Sequence, residues 1–140
     1  MKTVGLGRRP ARAAGRLFSG QVSSVRILIA DDQADVRSAL GLLLMQEPDL
    51  EVVAEATDAV GVLLAAEKQP FNLILLDWEL PGMPSASLVR ILRNQWPQLR
   101  LIALSSLPEA RSAAANAGVD AFVDKGDPPD ALLTALRKIS

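Results

Sequence analysis

From Val25 to the end of the chain, short apolar segments alternate five times with segments whose apolar residues recur at helical spacing. The short segments are rich in aliphatic side chains and are bounded by Asp, Asn, Gly or Pro, which is typical of buried strands. Five strands are predicted, at residues 25–30, 51–56, 72–77, 99–104 and 120–124.

The segments after the strands predict five helices. In the third, Leu88, Ile91 and Leu92 recur at helical spacing and Pro97 lies beyond the helix end. The last helix is predicted to begin with Asp127 as its N-cap. Strands that are apolar on both faces indicate a parallel sheet covered by helices on both sides. The predicted class is therefore α/β, as one domain at residues 25–140.

Residues 1–24 differ from the rest of the chain. They hold five Lys and Arg residues, no acidic residue, and several breaks at Gly and Pro. This composition favours a disordered extension, with a targeting peptide or a tether to an anionic surface as alternatives. The whole chain has a formal net charge of −1, so removing these five positive charges leaves −6 on residues 25–140. An acidic domain of this kind is a poor candidate for direct nucleic-acid binding.

The amino acids that the chain lacks exclude several kinds of chemistry. The sequence contains no Cys and no His, which excludes disulfides, thiolate zinc sites, thiol nucleophiles and imidazole bases. No apolar run approaches the length of about 18 residues needed to cross a bilayer. Candidate functional groups are therefore carboxylates, hydroxyls and amines.

Such groups stand at the carboxyl ends of four predicted strands: Asp31 and Asp32 after the first, Asp77 ending the third, Ser105 after the fourth and Lys125 after the fifth. Ligands of open parallel sheets bind beyond this edge. Crowded carboxylates either raise one another's pKa or hold a cation, and oxygen ligands suit Mg²⁺. A carboxylate can also become an acyl phosphate, whose oxygens a lysine and a hydroxyl can bind.

Each of these residues also has an ordinary structural interpretation. The aspartate pair or the serine could cap a helix, Asp77 could simply end a strand, and Lys125 with Gly126 could form a surface turn. The placement of all of them at the same ends of four strands favours a shared functional site.

Four segments resemble the receiver domain of two-component response regulators, a CheY-like domain, and the resemblance covers residues 25–140. They are ILIADDQ, LILLDWELPGM, LIALSS and AGVDAFVDKG. WELPGM and DKG are most similar to receivers of the NarL/LuxR type, which usually carry a C-terminal helix-turn-helix output. The resemblance implies a cytoplasmic protein with a flavodoxin-like sheet of five parallel strands in the order 2-1-3-4-5.

The resemblance also implies residue roles. Asp77 would accept a phosphoryl group from a histidine kinase or phosphotransfer protein. Mg²⁺ would be bound by Asp32, Asp77 and the backbone carbonyl of Glu79, with Asp31 acting indirectly.

The same resemblance implies a switch and a set of partners. Ser105 would be the switch hydroxyl, Phe122 its coupled aromatic residue, and Lys125 the partner of the phosphoryl oxygens. The output would pass to a downstream protein or a fused output domain, and phosphorylation could form a homodimer. Neither a membrane span nor direct nucleic-acid binding is expected. No enzymatic activity is expected either, beyond self-catalysed aspartyl phosphorylation and dephosphorylation.

Four positions depart from the usual receiver pattern. Gly126 stands where Pro is usual, Ser105 replaces the commoner Thr, Ser106 replaces a small Ala or Gly, and Glu79 adds an acid two residues after Asp77. The alternatives to a stand-alone switch are a receiver fragment of a DNA-binding regulator, a Mg²⁺-dependent aspartyl-phosphate hydrolase and a phosphorylation-independent interaction module. Glu79 disfavours the hydrolase, because those enzymes have a second Asp at this position.

Overall fold

A computed structural model describes residues 24–139 of the chain. Strands and helices alternate as predicted, and each strand boundary lies within one residue of the expected position. The elements are β1 (Val25–Ala30), α1 (Ala34–Met45), β2 (Leu50–Ala56), α2 (Ala59–Lys68), β3 (Leu73–Asp77), α3 (Ser85–Gln95), β4 (Arg100–Ser105), α4 (Ala110–Ala117), β5 (Ala121–Asp124) and α5 (Pro129–Ile139).

The five strands form one parallel sheet in the order β2-β1-β3-β4-β5. This confirms the flavodoxin-like order that the resemblance implied. The pairing of β1 with β2 shifts between Ile27 and Leu28, whose partners are Val52 and Ala54. The central strand β3 is regular and buried along all five of its residues. Its last residue, Asp77, is therefore carried on the most enclosed strand of the sheet.

Alternate strand residues point to opposite faces of the sheet, which produces two apolar cores. On one face, residues such as Leu28 and Ile74 pack with α2 and α3. On the other face, residues such as Ile29 and Leu75 pack with α1 and α5. Burial on both faces explains why the inner strands read as continuous apolar runs.

The loop after β3 is fixed by two hydrogen bonds and passes close to the start of α2 at a glycine. The buried Ser85 hydroxyl donates a hydrogen bond to the Trp78 carbonyl at 2.6 Å. The Ala59 N–H donates to the Pro81 carbonyl at 2.9 Å. Gly82 adopts a φ of +112°, and a Cβ there would lie 3.1 Å from the Ala59 nitrogen. The loop that follows Asp77 is thus tied to the start of α2.

Replacing Gly82 with Ala is expected to destabilise the protein by about 2 kcal/mol, because strain at positive φ adds to crowding against Ala59. Gly118 is the matched control: its φ is +101°, but a Cβ there meets nothing within 4 Å. Gly118→Ala should therefore cost only about 1 kcal/mol, the strain alone. Urea denaturation of both variants measures the difference, and equal costs would contradict the crowding at Gly82.

One predicted helix boundary is wrong. Helix α5 begins at Pro129, so Pro128 and not Asp127 occupies the position before its first residue. Asp127 instead belongs to the preceding turn, where its N–H donates to the Asp124 carbonyl at 3.0 Å. The predicted basic extension lies outside the described residues, apart from the exposed Ser24. Across residues 24–139, no helix has the length and apolar character that a membrane span requires.

Candidate metal and phosphoryl site

Three carboxylates meet where β1 and β3 end. One oxygen from each of Asp31, Asp32 and Asp77 lies within 4.8 Å of the other two. The Asp31 and Asp77 residues are only 1% and 3% exposed, whereas Asp32 is exposed. The structure therefore gathers the acidic residues that the sequence places at these strand ends, with one carboxylate open to solvent.

Asp31 is held by donors on both of its carboxylate oxygens. The Gln33 N–H donates to Oδ1 at 2.9 Å, and the Lys125 ammonium donates to Oδ2 at 2.9 Å. The Arg37 guanidinium donates to the Asp31 carbonyl at 2.8 Å. The Asp31 side chain is therefore held in one position by hydrogen bonds and by its ion pair with Lys125.

Lys125 bridges Asp31 and Asp77. Its Nζ lies 3.2 Å from Asp77 Oδ1, which also accepts the Glu79 N–H at 3.0 Å. Burial raises the pKa of the Asp77 carboxyl, and the Glu79 N–H and the Lys125 charge only partly oppose this effect. Burial alone would lower the pKa of Lys125, but its contacts with Asp31 and Asp77 outweigh burial and raise it. Lys125 therefore stays charged beside the acids.

Ser105 lies at the end of β4 and is fully buried. Its hydroxyl donates to Glu79, with Oγ 2.9 Å from both carboxylate oxygens, and accepts the Leu107 N–H at 3.0 Å. Its backbone carbonyl accepts the Lys125 N–H at 2.9 Å. The structure thus places Ser105 beside the site, with its side chain turned to Glu79.

Phe122 occupies β5 and is partly buried. The Arg111 guanidinium of α4 lies over its ring, with the guanidinium carbon 4.6 Å from the ring centroid. A cation in this position is attracted by the electron-rich face of the ring. The aromatic residue expected to couple to Ser105 is therefore in contact with α4.

The donor set fits a hard divalent cation. The cluster offers carboxylate oxygens, and the chain supplies no His or Cys that would favour a softer metal. The side chains of the site carry four formal negative charges, on Asp31, Asp32, Asp77 and Glu79. Two positive charges lie beside them, on Lys125 and on Arg37. A bound cation would offset this excess of negative charge.

Replacing Asp77 with Asn is expected to stabilise the protein in chelator at neutral pH. Because the folded pKa of Asp77 is raised, the folded state binds more protons than the unfolded state between the two pKa values. The contribution of the protonated Asp77 carboxyl to stability is complete below the unfolded pKa and is lost as pH rises through the folded pKa. Asn has no carboxyl to ionise and therefore does not lose stability in this way. The urea midpoint of Asp77→Asn should exceed that of the parent at pH 7, and the gap should narrow toward pH 4. Equal midpoints at pH 7 would contradict the raised pKa.

The fold and the acidic rim define a receiver-type α/β domain, and comparison with known proteins identifies the family. Residues 27–137 match the family described as response regulator receiver domain. The chain belongs to this family. The general function of receiver domains is to accept a phosphoryl group on an aspartate, and this domain has that function as a member of the family. The alternative of an aspartyl-phosphate hydrolase is not favoured.

Individual relatives differ in what accompanies the matched region. The chain is 31% identical over 120 residues to the nitrate/nitrite response regulator protein NarP of Escherichia coli, covering 84% of this chain and 55% of NarP. It is 35% identical over 85 residues to a protein-glutamate methylesterase/protein-glutamine glutaminase of Rhodopseudomonas palustris, covering 61% of this chain and 23% of that protein. The chain thus spans about half or less of these relatives.

Solved structures support the same assignment. A two-component response regulator of the LuxR family from Aurantimonas superposes with a TM-score of 0.78 at 27% identity, covering 84% of this chain and 85% of that chain. This match and the NarP match confirm the similarity to receivers of the NarL/LuxR type.

Sequence reasoning missed two contacts at the site. It considered Glu79 for its backbone carbonyl and its charge, but not as the acceptor of the Ser105 hydroxyl proton. It also gave no role to Arg111. The sequence carried no signal for the contact between Glu79 and Ser105, because Glu79 lies in the loop after β3 and the register gives only the pairing of Asp77 with Leu104.

Proposed function

We propose that this chain is a phosphorylation switch in which Asp77 accepts a phosphoryl group from a histidine kinase or phosphotransfer protein. The observation that supports this most strongly is the convergence of three carboxylates with Lys125 at one edge of the sheet. The receiver domain would span residues 25–140, preceded by a basic extension at residues 1–24.

The proposed cofactor is Mg²⁺. Asp32, Asp77 and the backbone carbonyl of Glu79 would bind it. Asp31, whose two oxygens accept hydrogen bonds from the Gln33 N–H and Lys125, would act indirectly. When bound, Mg²⁺ supplies positive charge to the oxygens of the transferring phosphoryl group. The exposed carboxylate of Asp32 gives the ion a route in from solvent.

The chain's own residues explain the transfer. A carboxylate oxygen of Asp77 bonds to phosphorus while the bond from phosphorus to the donor breaks, and the donor leaves with that electron pair. The product is an acyl phosphate on Asp77. Lys125, already 3.2 Å from Asp77, neutralises the new charge. Ser105 would donate a hydrogen bond to a phosphoryl oxygen.

The switch would run from Ser105 to Phe122 and α4. Movement of Ser105 toward the phosphoryl group opens space beside β4, into which Phe122 would turn. Phe122 would then leave Arg111, so α4 would lose one of its contacts. Helix α4 spans only eight residues and buries only alanines, Ala110 and Ala114, which anchor it weakly.

The proposed output is a change in protein contacts. It would act on a downstream protein or on a fused output domain, such as the DNA-binding domain of a transcription regulator, and phosphorylation could form a homodimer. The domain itself would not bind nucleic acid, since residues 25–140 are acidic. We place the protein in the cytoplasm and assign it no enzymatic activity beyond its own phosphorylation and dephosphorylation.

The function is tested by incubating the protein with an acyl phosphate donor and Mg²⁺ and measuring its intact mass. The expected product carries one phosphoryl group, and chelation of the metal should prevent its formation. Absence of an adduct with any small-molecule donor would contradict the proposed function.

A further inference from the structure

We propose that Glu79 is a positioning residue that holds Ser105 in the resting state and competes with the phosphoryl group for the Ser105 proton. This inference rests on the proposed function, since it requires a phosphoryl group on Asp77. It assigns a role to the Glu79 side chain, whereas the proposed metal site uses only its backbone carbonyl.

The first step is the hydrogen-bond inventory of Ser105. A serine hydroxyl has one proton to donate. That proton points to Glu79, because Oγ lies 2.9 Å from both Oε1 and Oε2, while the Leu107 N–H occupies an acceptor site on the same oxygen. Ser105 is fully buried and its partner is a carboxylate, which makes this bond stronger than one between neutral groups. Ser105 cannot donate to a phosphoryl oxygen until this bond breaks.

The second step is electrostatic. Glu79 follows Asp77 by two residues, and its N–H already bonds to Asp77 Oδ1. A phosphoryl group on Asp77 brings further negative charge close to the Glu79 carboxylate and repels it. The positive charge of Lys125 does not cancel this repulsion, because Lys125 is already paired with Asp31 and Asp77. Arrival of the phosphoryl group therefore favours release of Glu79 and frees the Ser105 proton together.

The third step connects this exchange to the surface. The Leu107 N–H bonds to Ser105 Oγ, and the Leu107 carbonyl accepts the Ala110 N–H at the start of α4. When Ser105 moves, Leu107 must follow it or lose its partner. Leu107 is 43% exposed, so the exchange changes a surface loop. Glu79 thus sets how much phosphoryl binding is needed to move the loop at residues 106–109.

The test measures the dissociation constant of beryllofluoride, a phosphoryl mimic, with saturating Mg²⁺. The four proteins are the parent, Glu79→Ala, Ser105→Ala and the double variant. With Ser105 present, Glu79→Ala should bind about tenfold more tightly, the scale of one hydrogen bond to a charged group. In the Ser105→Ala background only charge repulsion is left, so the same change should give a gain of about twofold.

Equal gains in the two backgrounds would overturn the proposal, because Glu79 would then act by charge alone. Glu79→Gln keeps the shape and an acceptor but removes the charge, so its affinity should fall between those of the parent and Glu79→Ala. The amide resonance of Leu107 gives an independent readout: Glu79→Ala should shift it without beryllofluoride, and an unshifted resonance would also overturn the proposal. Failure of the proposed function looks different, since the parent itself would then show no Mg²⁺-dependent beryllofluoride binding.

Discussion

Asp77→Asn is expected to lose the phosphoryl adduct completely under conditions in which the parent is modified. The amide has the shape of the carboxylate but is a very poor nucleophile, so no acyl phosphate can form. Asp77 is buried at the end of the central strand, and Asn preserves its packing. Loss of the adduct would therefore reflect chemistry and not unfolding, which circular dichroism can verify. Intact mass after incubation with an acyl phosphate donor and Mg²⁺ measures the effect.

Asp124 provides the matched control for this substitution. It ends β5 at the same edge of the sheet, but its carboxylate accepts the Gly126 N–H at 2.7 Å and is not one of the three clustered acids. Asp124→Asn keeps an acceptor for that N–H, so it should be modified like the parent. An undiminished adduct in Asp77→Asn, or its loss in Asp124→Asn alone, would contradict the assignment of the acceptor.

Lys125→Met should have the second largest effect, because it removes the ammonium that bridges two buried acids. Asp31 and Asp77 would be left close together without this counter-charge. Breaking a buried ion pair on one side costs about 3 kcal/mol, and we expect a loss of about this size in the free energy of unfolding in chelator. Beryllofluoride affinity should also fall by about a hundredfold, since a charge-assisted contact to the anion is lost. Urea denaturation and beryllofluoride titration measure the two effects.

Two further variants show whether the effect of Lys125→Met comes from lost charge or from lost packing. In Lys125→Met with Asp77→Asn, only one buried charge is without its partner, so part of the stability should return. Lys125→Arg keeps the charge and should cost less than Lys125→Met. If Lys125→Met is as stable as the parent, or if Asp77→Asn restores nothing, the account of the site's electrostatics is wrong.

Much of the fold could be predicted because buried strands consist of apolar residues, which are visible in the sequence. Strand β3 is buried at every residue and therefore appears as an unbroken apolar run that ends at Asp77. The strand order is different in kind. It depends on which distant strands pair, and periodicity carries no information about that, so it was available only through the resemblance to a known family.

The site likewise has a part that could be predicted from the sequence and a part that could not. The positions of Asp31, Asp77 and Lys125 follow from where their strands end, so their convergence could be predicted. The bond between Ser105 and Glu79 depends on the path of the loop after β3 and on a side-chain rotamer. Helix α5 shows a similar limit: Asp127 is a good capping residue, but it lies in the turn after β5, and the helix begins two residues later, at Pro129.

The most direct test of the central claim is to locate the phosphoryl group chemically. An acyl phosphate is reduced by borohydride to an alcohol, which converts the modified aspartate to homoserine. After treatment with donor and Mg²⁺, peptide mass spectrometry should find homoserine at position 77, and omitting Mg²⁺ should abolish it. Homoserine at another aspartate, or at none in a protein that is otherwise folded, would contradict Asp77 as the phosphoryl acceptor.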